Sequence, residues 1–147
     1  MLKRRLVAIL LVAVLAAACD ADERKRLAKA SDDFARGIAM ALALDDALIK
    51  QKLLSTDDAI VITQAILDAN RIAHQFNDRA SLYGKSGGST KSELLQLTSD
   101  IDGSLATLQK QGVLRIKNPA SQAQFTAALA IMKSAVAVAQ VILGGGK

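Results

Sequence analysis

The side chains able to carry chemistry are few: one cysteine, Cys19, one histidine, His74, and two glutamates, Glu23 and Glu93, in 147 residues. A di-metal site in a helical protein needs several inward carboxylates together with Glu-x-x-His pairs, which this inventory cannot supply. His74 stands one residue off an apolar seam, with Asn70 and Asp78 at i−4 and i+4 within hydrogen-bonding reach. That setting suits a structural or solvent-facing histidine better than a catalytic one. The aspartates recur as doublets, Asp32-Asp33, Asp45-Asp46 and Asp57-Asp58, but neighbours on a helix point about 100° apart, so no doublet is an acid–base dyad. Asp57-Asp58 suits a helix start. Asp45 falls near an apolar stripe, which leaves two explanations open: a cationic partner such as Arg71, Arg79 or Lys133, or a bend at the helix end. No nucleophile triad is apparent, and Gly87-Gly88 and residues 144–146 read as loop and tail glycines without the strand-to-helix setting of a phosphate loop. The expectation is a protein that is not an enzyme, with no metal and no cofactor.

The elements that would position these residues are helices. The chain has no Trp, one Tyr, three Phe and one Pro, while Ala, Leu and Ile dominate, so helix formers outweigh strand formers. Four amphipathic segments follow. The first, about residues 22–53, carries Leu27, Phe34, Ile38, Ala41, Leu42, Leu48 and Ile49 on one stripe, with Gly37 inside it as a close-approach point or a weak point. In the second, Ala59, Ile62, Ile66, Ala69, Ala73, Phe76, Ala80 and Tyr83 alternate steps of three and four, a heptad seam. Ser55 or Thr56 can cap its start, and Gly84 with the following Lys-Ser-Gly-Gly run ends it.

The third segment, about residues 90–111, has Leu94, Leu97, Ile101, Leu105 and Leu108 at helical spacing. Thr90 with Glu93 fits a capping box, and Gly112 reads as its stop. Residues 113–117, VLRIK, alternate like a strand and are expected to form an extended connector that tucks Val113, Leu114 or Ile116 against the bundle end. Asn118-Pro119 then starts a fourth helix, about residues 119–143. Between Ala127 and Leu143 that helix has only Lys133, Ser134 and Gln140 as polar residues. Phe125, Ala128, Met132, Ala135, Ala139 and Ile142 are expected inward. The outer strip of Ala130, Ala137, Val138 and Val141 is either partly covered or exposed to a partner or membrane. Short connections place consecutive rods antiparallel.

The chain opens with a basic stretch, MLKRR, an unbroken apolar run over residues 6–15 and three small residues, Ala16-Ala17-Ala18. This is the three-zone pattern of a secretory signal peptide, removed from the mature protein. Its apolar part, residues 6–18, is shorter than the roughly 17 to 25 residues that span a bilayer. Cys19 follows at once and, being the only cysteine, cannot form an intrachain disulfide. The stretch LAAAC, residues 15–19, resembles the lipobox of bacterial lipoproteins. It differs from the usual pattern in having Ala16, not Leu, three positions before the cysteine. The resemblance implies cleavage between Ala18 and Cys19 and a covalent lipid on the Cys19 sulfur. Ala16-Ala17-Ala18 also fits the A-x-A site of ordinary signal peptidase, which would leave a soluble protein with a free thiol. By the same resemblance Asp20 favours the inner membrane in enteric bacteria, and inner versus outer membrane stays open.

Removing the leader also removes Lys3, Arg4 and Arg5. Of 19 basic residues 16 remain, against 14 acidic ones that all lie beyond residue 18, so a nucleic-acid partner is not indicated. Arg24, Lys25, Arg26 and Lys29 cluster just past Cys19, where they could meet anionic headgroups or simply form a solvated helical turn. The domain plan is a signal peptide at 1–18, a lipidated N-terminus and tether at 19–21, a four-helix bundle at 22–143 and a flexible tail at 144–147. The expected architecture is all-α and up-down-up-down. The expected role is that of a cell-envelope protein held at a membrane by its lipid, binding or scaffolding another envelope protein or a second copy. The alternative is a carrier or sensor holding a small apolar ligand where the Ala-rich seams of the second and fourth helices meet.

Overall fold

A computed structural model describes the backbone of residues 2–144 and the side chains of residues 21–144. The helices are α1 (Leu2–Lys50), α2 (Thr56–Ser81), α3 (Lys91–Arg115) and α4 (Pro119–Ile142). Their antiparallel succession forms a ring in which α1 lies beside α2 and α4, and α3 closes the ring between α2 and α4. The fold is the expected all-α four-helix bundle. The expected tether at residues 19–21 differs in one respect: the backbone of α1 runs through it without a break. The side chains of the leader, of Ala18 and of Cys19 lie outside the described residues, as does the tail beyond Gly144.

Helix starts follow local chemistry. Ser55 caps α2 by accepting from the Asp58 backbone N–H at 3.1 Å. Thr90 caps α3 in a complete capping box: its hydroxyl accepts from Glu93 N–H, and the Glu93 carboxylate accepts from Thr90 N–H at 2.9 Å. Asn118 caps α4, accepting from Ser121 N–H at 2.9 Å, with Pro119 in the first turn. Each cap satisfies an amide that the helix itself leaves open, at about 1 kcal/mol apiece. At the other end, α1 stops earlier than the sequence suggests. Lys52 adopts a left-handed backbone, φ 55°, with Leu53 N–H donating to Leu48 O and Lys52 N–H to Ile49 O. That is the Schellman arrangement, here built without glycine.

The core joins all four helices. Leu27, Phe34, Ile38, Ala41 and Leu48 of α1 meet Ile62, Ile66, Ala69 and Phe76 of α2, Leu94, Ile101, Leu105 and Leu108 of α3, and Phe125, Ala128, Met132, Ala135, Ala139 and Ile142 of α4. Leu129 and Val136 also turn inward, so the buried stripe of α4 is wider than its heptad suggests. Two expectations about the α3–α4 link are corrected. Gly112 does not end α3. It lies in the last turns, where a Cβ would stand 2.0 Å from the Phe125 ring, so α4 needs a bare backbone there. Residues 113–115 continue the helix, leaving Val113 and Leu114 exposed, and of the VLRIK stretch only Ile116 is buried. Gly37 plays a similar part between α1 and α4, facing the Met132 side chain.

Candidate functional site

Among the first side chains described in α1, Arg24 is half-buried and its Nη1 donates to the Tyr83 carbonyl at 2.7 Å, clasping α1 to the α2–α3 corner. Of the basic cluster, Lys25, Arg26 and Lys29 are exposed, while Arg24 is engaged within the fold.

The aspartate doublets are divided between two jobs, as a 100° step requires. The second member of each is ion-paired: Asp33 with Arg36 at 3.0 Å, Asp46 with Lys50 at 2.6 Å and Asp58 with Arg115 at 3.1 Å. Arg115 Nε faces Asp58 off the line of its N–H, so that contact is charge attraction and not a directed hydrogen bond. The first members differ. Asp57 sits in the first turn of α2, Asp32 is exposed, and Asp45 is only 4% exposed. No cation reaches Asp45. The Thr63 hydroxyl donates to Oδ2, and Oδ1 is buried with no partner. Neither expected explanation holds, since its partner is a threonine and α1 continues helically to Lys50. Burial pushes the Asp45 carboxyl above the ordinary carboxylate range and neighbouring Asp46 adds to this, while the Thr63 hydrogen bond opposes both.

The spacing Gly-x-Ser-x-Gly occurs once, as Gly84-Lys85-Ser86-Gly87-Gly88. It forms an exposed link between two helices, without the strand-to-helix elbow that gives such a serine its reactivity. Among the described residues no group of His, Cys, Asp and Glu could hold a metal.

Where the Ala-rich seams converge, Ala30, Ala73, Ala135 and Ala139 with Phe34, Phe76 and Thr98 enclose about 20 Å³, room for one water. A larger space, about 210 Å³, lies outside it between α1 and α2, lined by Ser31, Asp32, Phe34, Ala35, Asn70, Ala73, His74 and Asn77. His74 is exposed there and makes no bond to Asn70 or Asp78. The i, i+4, i+7 spacing of Asn70, His74 and Asn77 carried this polar stripe in the sequence, but only the pairing of α2 with α1 shows what it faces.

Exposed apolar side chains gather in two other places. At the end remote from Cys19, Ile49, Leu53, Ile60, Val113 and Leu114 are all exposed, Ile60 by 61%. On α4 the outer strip of Ala130, Ala137, Val138 and Val141 is exposed, Val141 by 64%. By length and composition α4 could cross a membrane, yet 44% of its most apolar stretch is buried against the other helices, as in a bundle core. Comparison with known proteins finds no matching family model, curated protein or solved structure.

Proposed function

We propose that this protein is a membrane-anchored lipoprotein of the bacterial cell envelope that works by contact, holding or scaffolding another envelope protein or a second copy of itself. The observation that carries the reading is LAAAC at residues 15–19, which closes an export-type leader on the chain's only cysteine. The fold lends support in two ways. Arg24 ties α1 to the α2–α3 corner only a few residues beyond Cys19, so a lipid there would hold the bundle close to the bilayer. The opposite end then projects away from the membrane with its five exposed aliphatic side chains, a surface suited to a partner. The filled core argues for contact over carriage of an apolar ligand, because a space for one water is far below the few hundred Å³ of a ligand pocket.

Intact mass of the protein recovered from native membranes, beside a Cys19→Ala variant, tests the anchor. The expected result is a chain beginning at Cys19 with added acyl mass, and a Cys19→Ala protein that leaves the membrane fraction. An unmodified chain with the same distribution as Cys19→Ala overturns the reading. Crosslinking from the remote end, with Ile60→Lys as the disrupting variant, then tests the contact surface.

A further inference from the structure

The groove between α1 and α2 stands apart from the anchor and from the remote aliphatic end. Ser31, Asp32 and Ala35 of α1 form one wall, and Asn70, His74 and Asn77 of α2 form the other. The side chains of Asp32, Asn70, His74 and Asn77 make no hydrogen bond or ion pair within the protein. Ser31 Oγ, at the inner edge where the groove meets the small core space, is buried and has no partner. Five polar groups thus converge on one concavity of about 210 Å³ with none spent on the fold.

Their chemistry narrows the occupant. Asp32 is the only carboxylate in the lining and no lysine or arginine joins it, so a phosphate or carboxylate would be repelled and unpaired. Phe34, Ala35 and Ala73 give the groove an apolar floor, but a purely hydrocarbon ligand would offer nothing to the five polar groups around it. What remains is a set of groups that both donate and accept: two carboxamides, a hydroxyl and an imidazole, beside one carboxylate acceptor. A carboxamide or carboxylate can bridge two adjacent hydroxyls, each of which is itself donor and acceptor, while the alanines meet a ring's C–H face. We propose that this groove binds a neutral, hydroxyl-rich ring, a single pyranose unit of a saccharide.

Titration of the full mature chain with D-glucose and D-mannose, followed by backbone amide NMR shifts, tests this. Saturable shifts confined to residues near 31–35 and 70–77 are expected, with a dissociation constant on the order of 1 mM. Asn70→Ala, Asn77→Ala and Asp32→Ala should each weaken binding about tenfold, one lost hydrogen bond apiece, with helical circular dichroism unchanged. All three positions accept a small side chain without disturbing the core. Inorganic phosphate and n-butanol serve as contrasting probes. Absent or unsaturable shifts with both hexoses overturn the proposal, as do shifts at these residues with phosphate or butanol alone.

Discussion

Asp45 leaves water on folding with a single hydroxyl, that of Thr63, to replace its hydration, and its Oδ1 has nothing. A buried polar atom without a partner costs about 1 to 3 kcal/mol, more when ionised. Because burial raises the folded value above the unfolded one, the carboxyl binds a proton more tightly in the folded chain. The stability tied to this residue is therefore full below the unfolded value, about 3.9, and is lost as pH rises from there through the raised folded value. Asp45→Asn keeps the shape and removes the charge. It should raise stability at pH 7 by about 1 kcal/mol, and the advantage should shrink as pH falls toward 4. Urea midpoints of both proteins at the two pH values check this; a variant less stable at both would mean that the carboxylate itself supports the fold. The sequence placed Asp45 near the apolar stripe but could not name Thr63, because that contact depends on the axial register of α1 against α2.

At the scale of helices, the caps were legible because they are local: Ser55, Thr90 with Glu93, and Asn118 each act within one turn. The seams were legible for the same reason, since spacing alone sets which residues share a face. Gly112 was misread because a glycine that ends a helix and one that admits a neighbour look alike in sequence. What separates them is the Phe125 ring, 13 residues on and on another helix. Gly112→Ala should cost about 1 to 3 kcal/mol, since three ring atoms of a buried aromatic must move. At Gly37 a Cβ would meet Met132 Cγ at 2.4 Å and also the backbone of α4, Ala128 O at 3.1 Å and Met132 N at 3.3 Å. Gly37→Ala should therefore cost no less than Gly112→Ala, because a helix backbone cannot step aside as a ring can, and the gain in helix propensity, about 1 kcal/mol, is the same at both sites. Thermal unfolding of both variants decides the order, and a clearly smaller loss at Gly37 would refute it. The end of α1 offers a change of opposite sign. Lys52 holds a left-handed backbone at about 1 kcal/mol that glycine would not pay. Lys52→Gly should raise the urea midpoint, and a fall would show that the lysine side chain contributes more than its backbone costs.

At the scale of the molecule, one continuous core runs through the ring of four helices, and each helix meets only its two neighbours. The groove facing Asn70, His74 and Asn77 exists only because α1 and α2 are adjacent in that ring, so no reading of α2 by itself could have found it. The same adjacency gives the Arg24 clasp a mechanical meaning. A pull on the N-terminal side of α1 runs along the helix axis, so the long contacts of α1 with α2 and α4 are loaded in shear, all along their length at once. Peeling, which would break those contacts one after another, meets its first described core residue of α1 at Leu27, just past the point where Arg24 is fastened to the Tyr83 carbonyl. The bundle thus resists traction from that end as a lap joint does, with the guanidinium as the rivet that keeps its edge from lifting.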